Sequence, residues 1–154
     1  TAAVEAFGAD PPIHIIHVAG PGQYEDVDRA LGDAGPRYRL FPYLDNLPLA
    51  IAAADLVVSR AGGSVFEIAA IGRPSVLVPY PHATADHQTT NARWLAEAGA
   101  AVVLADDLCT GERLREIAWA LLADEPRLAS MAAGRRGAGQ RTARRRRPHR
   151  RDGA

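Results

Sequence analysis

The chain contains 154 residues, of which 47% are apolar, so it can bury the core of one domain but is too short for a two-domain enzyme. Residues 1–134 carry 9 arginines and 17 acidic residues, whereas residues 135–154 carry 9 arginines and one acidic residue, which divides the chain into an acidic domain and a basic tail. The single cysteine, Cys109, excludes an intrachain disulfide and a cysteine-based zinc site, and it favours a reducing cytoplasm.

Short apolar runs alternate along the chain with stretches of helical length. The runs lack regular polar alternation, which is typical of strands that are buried on both faces. They predict strands at 13–18, 38–41, 56–59, 75–78 and 101–104. The stretches between them predict helices at 24–34, 47–53, 64–71, 87–98 and 111–123. This order predicts an α/β fold in which helices cover both faces of a parallel sheet and the crossovers are right-handed.

The loops that follow the strands are candidate ligand sites, because ligands of an open parallel sheet bind outside the carboxyl ends of its strands. Four such loops contain glycine, proline or polar residues: 17–22, 42–46, 60–63 and 79–88. The third lies in the segment Ser-Arg-Ala-Gly-Gly-Ser-Val-Phe-Glu at 59–67. Two adjacent glycines let a ligand approach the backbone, and the helix start behind them offers unpaired N–H groups and a positive dipole end. The segment therefore predicts a phosphate site.

The same segment also has a purely structural interpretation. Ser64 and Glu67 have the spacing of a capping box, in which the Ser64 hydroxyl accepts a bond from the Glu67 N–H. The Glu67 carboxylate would then bind back to the Ser64 N–H. Spacing alone leaves both interpretations open.

Other chemistries find little support. Gly20-x-Gly22 begins like a dinucleotide fingerprint, but it lacks the third glycine and an acidic helix start follows, so no NAD site is expected. His82, Asp86 and His87 lack a further ligand at helical spacing, so no metal site is expected, and Asp86 is interpreted as a helix N-cap. The sequence also lacks the nucleophile-elbow pattern that would support nucleophilic catalysis.

The basic tail, residues 135–154, has no apolar periodicity and repels itself, which predicts disorder. Its charge could attract nucleic acid or an anionic membrane surface, but solvated disorder is favoured and nucleic-acid binding is not expected. The apolar runs are too short to cross a bilayer. Because the sequence has no initiator methionine, we expect it to be part of a longer protein.

Taken in order, the loop motifs resemble the C-terminal half of the MurG family, glycosyltransferases that move GlcNAc from UDP-GlcNAc to lipid-linked muramyl-pentapeptide. The similarity runs from about residue 13 to residue 135. Its segments are His17-Val-Ala-Gly-Pro-Gly22, Pro42-Tyr-Leu-Asp-Asn46, Ala54-Asp-Leu-Val-Val-Ser-Arg-Ala-Gly62, Glu67-Ile-Ala-Ala-Ile-Gly-Arg-Pro74, Val78-Pro79, His87-Gln88-x-x-Asn91-Ala92 and Glu97-Ala-Gly-Ala100. The resemblance implies that residues 1–134 form the Rossmann-like C-terminal domain of a GT-B glycosyltransferase.

The resemblance also implies a donor site that needs neither metal nor cofactor. The backbone at Leu44 is expected to hold the uracil, and the Glu67 carboxylate is expected to accept hydrogen bonds from both ribose hydroxyls. The Gln88 amide is expected to bind GlcNAc hydroxyls, with His87 and Asn91 close by. The backbone expected to face the pyrophosphate belongs to Gly62, Gly63, Ser64 and Val65.

The resemblance further implies that residues 1–7 form a helix, and that the first strand, its phosphate loop and the acceptor domain with its catalytic base precede residue 1. The basic tail would replace an amphipathic C-terminal helix. Without its first strand, the chain is expected to be less stable and to aggregate.

The function implied is GlcNAc transfer in peptidoglycan synthesis, at the cytoplasmic face of the membrane, with this chain supplying the donor half and inactive alone. Three alternatives stay open. The chain could be a separate donor-binding subunit that acts with a partner chain, another nucleotide-sugar transferase of the same architecture, or a nucleic-acid-binding module that uses its basic tail.

Overall fold

The computed structural model describes residues 1–8, 11–82 and 86–134. Its elements, in chain order, are α1 (Ala2–Phe7), β1 (Ile15–Val18), α2 (Tyr24–Leu31), β2 (Tyr38–Phe41), α3 (Leu47–Ala53), β3 (Val57–Arg60), α4 (Ser64–Ile71), β4 (Ser75–Val78), α5 (His87–Glu97), β5 (Ala101–Val103), a 3₁₀ turn (Asp106–Leu108) and α6 (Gly111–Leu122). Residues 125–134 are also helical and are called α7. The basic tail, residues 135–154, lies outside the described residues.

The elements agree closely with those predicted, and α3, α4, β2 and β4 have the predicted bounds. Helix α2 ends at Leu31 rather than at residue 34, because Gly32 takes a positive φ of 59° that does not continue a helix. Strand β3 starts and ends one residue later than predicted, because its pairing with β4 runs from Val57 to Arg60. Helix α7 was not predicted.

All five strands run parallel, as predicted, but among the described residues they form two sheets. One sheet pairs β1 with β2, with Ile15 opposite Tyr38. The other places β4 between β3 and β5, with Val57 and Ala101 both opposite Ser75. The α/β class is therefore confirmed, with the predicted single sheet divided between β1 and β3.

Helices cover both faces of β4, whose four residues are all buried. Leu77 packs on one face into the α4-side core, with Ile51, Ala61, Val65, Ile68, Ala69, Ala92, Leu95 and Ala100. Val76 and Val78 pack on the other face into the α6-side core, with Ala6, Leu104, Leu114, Leu121 and Met131. Burial on both faces explains why the sequence of this strand lacks the polar alternation of a half-exposed strand.

Helix α1 packs against α6 through a close contact. Gly111, the first residue of α6, is buried, and a Cβ at this position would collide with the Cβ of Glu5. Next to it, the Phe7 and Trp119 rings meet edge to face with centroids 6.2 Å apart. The expected helix at the start of the chain is thus present and docked on the α6 side.

Within the described ranges, no helix has both the length and the apolar character needed to span a bilayer.

Candidate functional site

The loops after β3 and β4 meet at the carboxyl edge of the three-stranded sheet, where side chains of α5 join them. The Asn91 Nδ2 donates to the Ala61 carbonyl at 3.1 Å. A Cβ at Gly62 would lie 3.8 Å from the Gln88 Nε2. The structure therefore brings the glycine turn together with two of the polar residues predicted to bind the ligand.

Gln88 is fixed in this position by a backbone contact. Its Oε1 accepts a hydrogen bond from the Tyr80 N–H at 2.9 Å. This bond uses the amide oxygen and turns the amide nitrogen towards the glycine turn. Half-buried Gln88 thus presents donors at the carboxyl edge of the sheet.

The start of α4 does not form the predicted capping box. Ser64 is the first residue of the helix and Gly63 is the N-cap, with helical angles of φ −59° and ψ −33°. The Ser64 hydroxyl instead contacts the Ser59 hydroxyl at 3.1 Å. The capping-box interpretation was wrong because Gly63 already takes helical angles, which places Ser64 inside the helix.

The glycines of this turn are not required by the fold of the protein. Neither Gly62 nor Gly63 has a positive φ, and a Cβ at Gly63 would meet no atom within 4 Å. A Cβ at Gly62 would make only an ordinary van der Waals contact. The two glycines leave the backbone at the positive end of α4 uncovered by side chains of their own.

The other predicted residues lie around this turn with fewer contacts. Glu67 is exposed in the first turn of α4, and no described residue forms a hydrogen bond with its carboxylate. Val65 is fully buried in the α4-side core, and its N–H donates to the Gly62 carbonyl at 3.2 Å. His87 is exposed at the first position of α5. Leu44 is half-buried in the loop after β2, on the other sheet.

Arg60 connects three loops, a role that the sequence analysis missed. Its guanidinium pairs with the Asp106 carboxylate in the 3₁₀ turn after β5. It also lies over the Tyr80 ring, 5.8 Å from the centroid, in the loop after β4. An arginine at the carboxyl end of a strand could have indicated a role at this edge of the sheet. Its partner could not be found from the sequence, because Asp106 is 46 residues away.

His17 and Tyr38, in the two-stranded sheet, both have perturbed pKa values. The His17 Nδ1 lies 2.7 Å from the Tyr38 Oη. Burial, together with the positive charge of the N-terminal amine, lowers the pKa of His17 below its usual 6.5. Burial also raises the pKa of Tyr38 to about 12, so the phenol stays protonated and can donate to the imidazole.

The residues considered for a metal do not converge on one point. Within the described ranges, no group of three or more His, Cys, Asp or Glu side chains could hold a metal ion. Asp86 occupies the predicted N-cap position of α5, but its side chain makes no cap hydrogen bond and its φ is 54°.

Comparison with known families decides what this chain is related to. The model of the glycosyltransferase family 28 C-terminal domain matches residues 3–146. The chain belongs to this family.

Several curated relatives share the name UDP-N-acetylglucosamine--N-acetylmuramyl-(pentapeptide) pyrophosphoryl-undecaprenol N-acetylglucosamine transferase. The protein from Solibacter usitatus (strain Ellin6076) is 40% identical over 122 residues, which cover 79% of this chain and 34% of the relative. The protein from Acidothermus cellulolyticus is 41% identical over 140 residues, covering 85% of this chain and 38% of the relative. The chain thus spans little more than a third of the length of these relatives.

Solved structures agree with this family assignment. The crystal structure of Acinetobacter baumannii MurG matches with a TM-score of 0.71 and 31% identity, covering 93% of this chain and 43% of that protein. The glycosyltransferase VinC, solved in complex with DTDP, matches with a TM-score of 0.68 and 25% identity, covering 90% of this chain and 32% of that protein. Both are glycosyltransferases, and the likeness confirms the predicted Rossmann-like GT-B fold.

Proposed function

We propose that this chain is the UDP-GlcNAc-binding part of a hexosyltransferase that adds GlcNAc to lipid-linked muramyl-pentapeptide in peptidoglycan synthesis. The observation that carries the proposal is the open glycine turn at the start of α4, which faces the Gln88 amide. The chain that forms this turn is 40% identical to a relative named as an N-acetylglucosamine transferase. The matched relatives are longer, so the acceptor site and the base that deprotonates the acceptor are assigned to residues outside this chain.

In the proposed mechanism, the donor lies along the carboxyl edge of the sheet. The backbone N–H groups from Gly62 to Ser64 and the dipole of α4 would bind the diphosphate. The exposed Glu67 carboxylate would accept both ribose hydroxyls, and the backbone at Leu44 would hold the uracil. The Gln88 Nε2 would donate to a GlcNAc hydroxyl, with His87 and Asn91 at the same helix start.

The reaction would be a single displacement. The acceptor hydroxyl attacks the anomeric carbon of GlcNAc, the bond from that carbon to the UDP oxygen breaks, and the acceptor loses its proton to the base outside this chain. The glycine turn contributes most where the leaving UDP gains negative charge, because its N–H groups and the α4 dipole are already oriented. No metal enters this scheme, and by itself this chain would bind donor without transferring the sugar.

The place of action we propose is the cytoplasmic face of the membrane, where a lipid-linked acceptor can be reached. The 9 arginines of residues 135–154 support contact with anionic lipid, because basic segments are attracted to the negative surface potential of the cytoplasmic leaflet.

Calorimetric titration of the purified chain with UDP-GlcNAc tests the donor site. Glu67→Ala should weaken binding by roughly tenfold to a hundredfold, because it removes hydrogen bonds to a charged acceptor. Glu112→Ala is the matched control, since Glu112 is also an exposed glutamate in the first turn of a helix. Equal affinities for the two variants would refute the role of Glu67, and no binding by folded wild-type chain would refute the donor site.

A second candidate is another nucleotide-sugar transferase of the same architecture, favoured by the match to VinC with bound DTDP. UDP, UDP-galactose and dTDP titrated alongside UDP-GlcNAc distinguish the two. Tighter binding of dTDP than of UDP would favour the second candidate.

A further inference from the structure

A series of side-chain contacts crosses the carboxyl edge of the three-stranded sheet, from Asp106 to Gln88. Asp106, in the 3₁₀ turn after β5, pairs with the Arg60 guanidinium at the end of β3. The guanidinium lies over the Tyr80 ring, 5.8 Å from its centroid, in the loop after β4. The Tyr80 N–H donates to the Gln88 Oε1 at the start of α5. The series therefore ends on a side chain of the proposed donor site.

Tyr80 lies in a loop with few backbone contacts. Residues 79–82 follow β4, and the bond from Tyr80 to Gln88 is the one hydrogen bond that joins them to the rest of the described chain. The Tyr80 ring has closer neighbours than its backbone does. Arg60 lies over its face, and the His82 ring meets it edge to face with the two centroids 5.6 Å apart. The position of the Tyr80 N–H therefore depends on what surrounds the ring.

Arg60 depends in turn on Asp106. Among the described residues, Asp106 is the one hydrogen-bonding partner of the Arg60 side chain. An arginine side chain has many rotamers, and a partner is needed to hold it in one of them. A planar guanidinium can bind a carboxylate through its edge and an aromatic ring through its face, so the pair with Asp106 fixes the plane that covers Tyr80. Removing the carboxylate therefore releases the guanidinium from the ring.

The ion pair contributes little to stability by itself. The side chains of Arg60 and Asp106 are 54% and 31% exposed, and exposed ion pairs add little to the free energy of unfolding. The pair does, however, join the loops after β3 and β5 and cover the loop after β4. At the same edge of the sheet, the Gln88 Nε2 lies 3.8 Å from where a Cβ of Gly62 would be. What the pair determines is the geometry of this edge.

We propose that Asp106 is a positioning residue for sugar recognition, which acts through Arg60 and Tyr80 to hold the Gln88 amide towards the glycine turn. The inference rests on the proposed function, since it takes Gln88 as the group that binds GlcNAc. A donor that is already held in place loses less rotamer freedom when the ligand binds. Asp106 thus raises the affinity for UDP-GlcNAc relative to UDP without touching either ligand.

The first test needs no ligand. In the 154-residue chain, Asp106→Ala should make the Tyr80 amide exchange hydrogen roughly threefold or more faster, because its bond to Gln88 opens more often. Asp107→Ala is the matched control, since Asp107 is the next residue of the same 3₁₀ turn and is exposed. The control removes the same charge and should leave the exchange rate of Tyr80 at its wild-type value. Equal rates in the two variants would overturn the proposal.

Calorimetric titration with UDP-GlcNAc and UDP tests the effect on sugar binding. We expect Asp106→Ala to lower the ratio of the UDP-GlcNAc affinity to the UDP affinity by about twofold to fivefold, because the Gln88 donor is loosened rather than removed. Asp107→Ala measures the effect of the lost charge, to which the two ligands respond differently, and should change the ratio less. Equal changes in the two variants would contradict the proposal.

Double variants test whether the effect passes through Gln88. In a Gln88→Met chain, Asp106→Ala should change the affinity ratio no more than Asp107→Ala does, because no amide remains to be positioned. A larger fall would overturn the proposal, since the released Arg60 would then be binding the diphosphate itself. Failure of the proposed function is distinguishable from these results, because folded wild-type chain would then bind no UDP-GlcNAc at all.

Discussion

In the proposed donor site, the Gln88 side chain is held at one end by the fold. Its oxygen is held by the Tyr80 N–H, and its nitrogen faces the turn at Gly62. The carbonyl oxygen therefore serves the fold and the amide nitrogen is the group available to a ligand. The two ends of one side chain can be separated experimentally.

Gln88→Glu should keep the bond to Tyr80 while removing the donor. We expect the preference of the chain for UDP-GlcNAc over UDP to fall by about threefold to tenfold, the value of one hydrogen bond. Titration with both ligands checks this, with the uncharged variant Gln88→Met beside it, because UDP carries more negative charge than UDP-GlcNAc and is repelled more by the new carboxylate. An unchanged ratio would mean that Gln88 does not bind the sugar.

At the scale of the elements, the glycines at two helix starts have different purposes. A Cβ at Gly63, before α4, meets open space, whereas a Cβ at Gly111, at the start of α6, collides with Glu5 in α1. The first glycine keeps the backbone accessible and the second lets two helices pack.

We therefore expect Gly111→Ala to lower stability and Gly63→Ala to weaken ligand binding. Gly111→Ala should lower the free energy of unfolding by about 1–3 kcal/mol through overpacking between α1 and α6. Gly63→Ala should change it by less than about 1 kcal/mol, because alanine fits its helical angles, yet should weaken UDP-GlcNAc binding. Urea unfolding and titration measure the two effects. A Gly63→Ala variant with wild-type affinity would show that the ligand does not approach this backbone.

The elements also show what could be predicted from the sequence. Apolar runs and turn residues were sufficient for the parallel α/β fold, and the rule that ligands bind at the carboxyl edge led to the turn at Gly62. The capping box failed because local spacing does not report the backbone angles of Gly63. The ion pair of Arg60 with Asp106 and the division of the sheet depend on contacts between segments that are distant in the sequence. The spacing of residues within a motif does not encode such contacts.

For the whole molecule, His17 connects stability to pH. Folding lowers the pKa of His17 below its usual 6.5, so the unfolded chain binds the proton more readily. The contribution of His17 to the free energy of unfolding is constant above pH 6.5. This stability is lost as the pH falls from 6.5 through the pKa of the folded state. Urea unfolding between pH 5 and 8 should show this loss in the wild type and a weaker one in His17→Gln.

His14→Gln serves as the control, because His14 is exposed and lies next to the same strand. It should retain the wild-type pH dependence. If both histidine variants weakened the pH dependence of stability equally, that dependence would not arise from the burial of His17.

The two cores differ in how much of the chain must be present before each can form. The α4-side core draws only on residues between Leu47 and Ala101, which are close in sequence. The α6-side core joins Ala6 in α1 to Met131 in α7, around Val76 and Val78. Closing long loops slows folding, so the α4 side can assemble while the rest of the chain is still being synthesised. One face of β4 is therefore covered in full only after α7 has left the ribosome.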